Sequence, residues 1–207
     1  MKINNSDDIR NLLKRQPGYA SMRVAVETGL FRAATTLVCA PVFDVYHGIE
    51  INPGHVRLCR RRLSEAGITH VSIHEGDTRF VLPELAESIK EPALFMLDAH
   101  YSFVRKGKIF ADEADMVHGP EGADFPLLFE LQILSARPYA DIVLIDDTAL
   151  FGKDMAVLKA PDTKGNPGNV SPQWEVMSHT LVERTLGRVI RREDWRGSTI
   201  YWRKGDR

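Results

Sequence analysis

A chain of 207 residues, 43% hydrophobic and 27% charged, suits one soluble domain whose core needs neither disulfides nor a structural metal. Its formal net charge of -1 and its two cysteines, Cys39 and Cys59, argue against a strongly basic nucleic-acid-coating protein and against a disulfide scaffold. The start of the chain carries no apolar run of signal-peptide form and no stretch reaches membrane-spanning length, so the expectation is one cytoplasmic domain over residues 1–207.

Ser6 ahead of Asp7 and Asp8 reads as the cap of a short helix carrying Ile9, Leu12 and Leu13. Pro17-Gly18 ends it, leaving residues 1–20 as an N-terminal helix and linker. Residues 23–27 read as a strand, Thr28-Gly29 as a small-residue turn and residues 33–38 as a helix. Residues 43–50 form a second strand, after which Asn52-Pro53-Gly54 opens a helix with Val56, Leu58, Cys59 and Leu63. Residues 71–74 alternate as a third strand ending at Glu75-Gly76-Asp77, and Val81, Leu82, Leu85 and Ile89 mark the next helix. Residues 93–97 are a fourth strand that stops at Asp98.

Residues 102–125 have no period and form a first candidate substrate loop. Leu127, Leu128, Leu131 and Leu134 make a helical stripe, residues 142–145 a fifth buried strand, and Asp146-Asp147 its polar end. Residues 152–173 form a second candidate loop, and residues 174–186 a helix. Val189-Ile190 and residues 199–202 then read as a closing hairpin. This alternation predicts an α/β fold: a Rossmann-like, doubly wound, mostly parallel sheet with helices on both faces and a C-terminal antiparallel hairpin.

Ligands of such sheets bind beyond the carboxyl ends of the strands, where strand order reverses. Glu27, Glu50, Asp77, Asp98 and Asp146-Asp147 each finish or follow a predicted strand, so the fold would gather these acids on one rim. Glu50 lies about 20 residues beyond the first turn, the spacing at which an acid accepts hydrogen bonds from ribose hydroxyls. A nicotinamide-dependent oxidoreductase uses the same geometry, but Leu30-Phe31-Arg32-Ala33 after Gly29 supplies no G-x-G-x-x-G phosphate cradle.

Val26-Glu27-Thr28-Gly29, Thr35-Thr36, Gly48-Ile49-Glu50 and Gly76-Asp77-Thr78 together resemble the successive cofactor motifs of class I S-adenosylmethionine-dependent methyltransferases. Phe95-Met96-Leu97-Asp98-Ala99-His100-Tyr101-Ser102, Pro126-Leu127-Leu128 with Glu130-Leu131, and Val143-Leu144-Ile145-Asp146-Asp147 are similar to later motifs of a group that includes small-molecule and sugar O-methyltransferases. The resemblance implies S-adenosyl-L-methionine as cofactor, with Glu27 and Gly29 beside its methionine part and Thr28 and Thr35 in the same binding set. It further implies Glu50 on the ribose, Asp77 and Thr78 near the adenine, and Asp98 facing the reaction centre. Ala33 departs from the pattern, standing where many relatives have a second glycine.

Methyl transfer to a hydroxyl, or less readily an amine, of a small metabolite is the function so implied. Two chemistries are open. In one, His100 beside Asp98 is a general base. In the other, Asp98, Asp146 and Asp147 hold a hard cation such as Mg²⁺. Each acid also has a plain reading as a helix cap or a loop partner. The arginines at 57 and 60–62, and at 188, 191, 192 and 196, read as solvated faces, which disfavours a nucleic-acid partner. The alternatives kept are a non-catalytic binding protein of the same fold and the nicotinamide oxidoreductase; no feature of the sequence sets an oligomeric state.

Overall fold

The computed structural model describes residues 3–15, 18–100, 102–103, 125–153, 169–170 and 172–206. Helix α1 (Ser6–Lys14) buries Ile9, Leu12 and Leu13, as its apolar spacing requires. Its cap is Asn5, whose side chain accepts the Asp8 N–H at 3.1 Å, and not Ser6, whose hydroxyl donates to the Val38 carbonyl at 2.7 Å. The N-cap therefore lies one residue earlier than Ser6.

Five parallel strands follow: β1 (Val24–Thr28), β2 (Val45–Glu50), β3 (Val71–Glu75), β4 (Ala93–Leu97) and, after a short strand β5 (Ser102–Phe103), β6 (Ile142–Ile145). Beyond the two-residue β7 (Asn169–Val170), strands β8 (Val189–Trp195) and β9 (Ser198–Arg203) form an antiparallel hairpin, and β9 pairs with β6. The order β3-β2-β1-β4-β6-β9-β8 is the expected doubly wound sheet. β4 and β6 are buried along their whole length, which is why they read as continuous apolar runs, and β1 is equally buried although it ends in Glu27 and Thr28. β8 lies at the sheet edge and is mostly exposed, so its charged residues 191–194 concealed a strand longer than Val189-Ile190.

The connecting helices are α2 (Ala34–Cys39), α3 (Pro53–Glu65), α4 (Thr78–Ser88), α5 (Leu127–Ser135) and α6 (His179–Leu186). Alternate strand residues serve two cores. Val26, Phe95 and Val143 pack with Leu82, Leu131 and Val182 on one face, while Ala25, Met96 and Leu144 pack with Leu12, Cys39 and Trp202 on the other. The helix expected over residues 174–186 is two pieces, a 3-10 turn at Pro172–Glu175 and α6, which starts where the Ser178 hydroxyl accepts the Leu181 N–H at 3.1 Å.

Most of the two candidate substrate loops, residues 104–124 and 154–168, lies outside the described residues. Their described ends meet: β5, from the first loop, pairs antiparallel with β7, from the second. No described helix is long and apolar enough to cross a membrane.

Candidate active site

Strand order reverses between β1 and β4, and the loop leaving β1 sits at that point. Gly29 has φ +75°, and a Cβ on it would come within 2.5 Å of the Asp98 carbonyl oxygen. Only glycine lets the first loop lie this close to the end of β4. Phe31 and Ala33 also have positive φ, 48° and 56°. Left-handed backbone at a residue bearing a Cβ costs about 1–2 kcal/mol. The departure at Ala33 therefore acts through backbone strain, and its methyl is buried in a small cluster with Leu30 and Cys59. Because Ala33 is left-handed, α2 begins one residue later than the expected helix.

Glu27 is buried, and its Oε2 accepts hydrogen bonds from Thr36 Oγ1 at 2.7 Å and from the Tyr46 hydroxyl at 2.5 Å. Burial pushes its pKa up to about 7 against the pull of these two donors. The hydroxyl partner on α2 is Thr36; Thr35, one position earlier, is half-buried. Tyr46 was foreseeable only through strand pairing, since it lies opposite Ala25 in the β1–β2 register.

Glu50, also buried, accepts the Phe31 N–H on Oε2 and the Asn52 N–H on Oε1, both at 2.8 Å. It thereby ties the strained loop to the end of β2. It does not cap α3; Asn52 does, accepting from Gly54 N–H at 2.8 Å. Asp77 caps α4 through the Arg79 N–H at 2.9 Å and pairs with the Arg79 guanidinium at 2.6 Å. Its helix-capping reading is thus realised. Thr78 is buried at the first position of the same helix.

Asp98 donates its backbone N–H to the Thr28 carbonyl at 3.2 Å and to Thr28 Oγ1 at 3.3 Å. Its carboxylate lies 3.3 Å from His100 Nε2, and both side chains are largely buried. Burial first, then the Asp146 and Asp147 carboxylates, raise the Asp98 pKa well above the usual carboxylate range. Burial lowers that of His100, against the pull of Asp147 and Asp146. The His100 ring stands edge-on to Trp174 at 4.9 Å, and Trp174 also meets Phe125 at 4.7 Å and Phe151 at 5.7 Å. Trp174, expected to open a helix, is instead the fully buried centre of this aromatic group.

The cation expected on Asp98, Asp146 and Asp147 gets no support from their arrangement. Among the described residues, no three His, Cys, Asp or Glu side chains gather as a metal-binding group. Asp146 is turned onto Ser198, whose hydroxyl it accepts at 2.5 Å, and Asp147 begins the 3-10 turn at Thr148–Leu150. Asp146 and Asp147 are close enough to raise the Asp98 pKa, but the three do not gather as a metal-binding group.

Glu130 belongs to a run that resembles a later methyltransferase motif, but no site role was expected of it. It lies in the first turn of α5, 1% exposed, with its carboxyl facing the Thr28 and Thr78 hydroxyls, and burial pushes its pKa up to about 7. An acid three residues beyond Leu127 and four before Leu134, on the same face of the helix, was the available signal.

No protein-family model matches the chain. No curated protein matches it either. Solved structures do. The O-methyltransferase TomG from Streptomyces achromogenes, involved in tomaymycin synthesis and solved in complex with S-adenosylmethionine, is 19% identical over 88% of this chain and 74% of its own, with a TM-score of 0.50. A candidate O-methyltransferase from Klebsiella pneumoniae is 18% identical over 99% of this chain and 82% of its own, at 0.51. The S-adenosylmethionine-dependent methyltransferase SibL is 16% identical over 97% of this chain and 56% of its own, at 0.52. At these identities the likeness establishes the fold: a Rossmann-like sheet of the kind these proteins share.

Proposed function

We propose that the protein transfers the methyl group of S-adenosylmethionine to a hydroxyl of a small metabolite. The observation that carries this reading is Asp98, an acid of raised pKa at the switch point, packed under Gly29 and paired with His100. The donor set suits this cofactor. Carboxylates at the ends of β1, β2, β3 and β4 match a cationic sulfonium, an ammonium group and a ribose diol, whereas the pyrophosphate of a dinucleotide would meet them as like charges. Glu50 would hold the ribose through its remaining lone pairs, Asp77 with Thr78 would flank the adenine, and Asp98 would face the cationic end.

When bound, the cofactor supplies an electrophilic methyl group. The chain's own contribution is placement and proton handling. His100, whose burial favours the neutral imidazole, takes the acceptor's hydroxyl proton, and Asp98 orients the ring and stabilises the imidazolium that results. The arginines near the hairpin support a small acceptor over a polyphosphate. Arg191 pairs with Glu193 at 2.7 Å, Arg192 with Glu183 at 2.7 Å and Arg196 with Asp8 at 2.5 Å, so these cations are already matched by acids.

Calorimetry with S-adenosylmethionine, followed by assay of S-adenosylhomocysteine release with sugars and phenols, tests the reading. Binding and turnover are expected, and Asp98→Ala should lower turnover by about a hundredfold. Failure to bind the cofactor, or stabilisation by NAD alone, would overturn it.

A further inference from the structure

We infer that Glu130 is a positioning residue that holds the two ends of the cofactor cleft, Asp98 and the start of α4, in one geometry from inside the core. This rests on the methyl-transfer reading above. Successive side chains at the end of β1 point to opposite faces, so Glu27 turns toward α2 and Thr28 toward α5. Thr28 Oγ1 accepts the Asp98 N–H, which leaves the hydroxyl's own hydrogen for another acceptor, and the carboxyl it faces is that of Glu130. Thr78, next to Asp77 and first in α4, turns its buried hydroxyl toward the same carboxyl. One side chain thus reaches toward groups on both sides of the switch point.

The cluster is gathered but not closed. Among the described residues, neither Glu130 Oε1 nor Thr78 Oγ1 has a hydrogen-bond partner. A leucine at position 130 would match its neighbours Leu127, Leu131 and Leu134 and would carry no desolvation cost. What an acid adds is a group that, when protonated, donates to one hydroxyl while accepting from the other. The raised pKa agrees with that state, and Asp77, the charged group that acts on it, caps the helix whose start Glu130 holds.

Amide hydrogen exchange and calorimetric titration with S-adenosylhomocysteine, on wild type, Glu130→Gln, Glu130→Ala and Thr78→Val, test this. Glu130→Ala should raise exchange about tenfold at the Asp98, Arg79 and Phe80 amides and weaken binding about tenfold, while the Ala93 amide at the other end of β4 is unchanged. Glu130→Gln, which keeps a donor and an acceptor, should stay within about threefold of wild type in both. Thr78→Val, which removes only a hydroxyl, should change the Arg79 and Phe80 amides alone, and it carries the test if Glu130→Ala does not fold. Wild-type exchange in Glu130→Ala, a uniform rise that includes Ala93, or equal damage in Glu130→Gln overturns the inference. Lack of ligand binding by wild type would instead remove the functional reading, and the exchange pattern would still decide whether Glu130 holds the two ends.

Discussion

The two ends of the parallel strands surround their buried acids with different partners. At the amino-terminal end, Asp141 is fully buried and accepts from Arg137 Nε at 3.0 Å, Arg203 Nη1 at 3.2 Å and the Ala93 N–H at 3.0 Å. Arg137 also donates to the Ile89 carbonyl at 2.8 Å and Arg203 to that of Leu134 at 2.6 Å, so one ion cluster joins the ends of α4 and α5 to β4, β6 and β9. At the carboxyl-terminal end, Glu27 and Glu130 face hydroxyl groups, and Asp98 faces the carboxylates of Asp146 and Asp147. Two guanidinium groups pair with the buried acid where the fold is fastened, pulling against a burial that raises its pKa. Hydroxyl groups, a histidine and other carboxylates surround the acids at the rim where strand order reverses.

The largest effect that would break this contrast lies at the fastened end. Asp141→Ala strands two buried guanidinium groups and should cost about 3–5 kcal/mol in denaturant unfolding. A loss below about 1 kcal/mol would mean the cluster is not a fastening.

At the other end the expected signature is in pH. Glu27 and Glu130 have native pKa values of about 7, above their ordinary 4.5, so the native state holds protons that the unfolded chain releases. Their favourable contribution is complete below about pH 4.5 and is lost as pH rises through about 7, amounting to about 3 kcal/mol for each acid. Melting curves between pH 5 and 8 should show this decline, and Glu27→Gln or Glu130→Gln should each remove part of it. A decline that both variants share unchanged would place the titrating groups elsewhere. The smallest effect is expected for Ala33→Gly. Relief of the left-handed backbone opposes the loss of a buried methyl, leaving a net change within about 1 kcal/mol by the same melts.

Much of the fold was legible. The apolar runs of β4 and β6 and the apolar start of β1 marked buried parallel strands, and the acids that finish or follow them stand at the strand ends. Thr35 could not be told from Thr36, because only the twist of α2 against β1 decides which hydroxyl meets Glu27. Ser6 could not be told from Asn5 as a cap, since both residue types serve and neighbouring Val38 claims the serine. Trp174 looked like a helix residue until three rings from separate segments enclosed it.

What the sequence determined by itself was periodicity and its consequences: strand, turn and helix in alternation, hence a doubly wound sheet with Glu27, Glu50, Asp77 and Asp98 at the strand ends. Those signals are local, arising from side-chain direction along a few successive residues. Only the tertiary structure decided which acids keep company with cations, which are pushed toward neutrality, and that Asp98, Asp146 and Asp147 form no metal-binding group among the described residues. Desolvation and pairing depend on groups brought together from distant parts of the chain. Arg203 meeting Asp141 across β9 and β6, and Glu130 facing Thr28 from α5, have no counterpart in the spacing of any single segment.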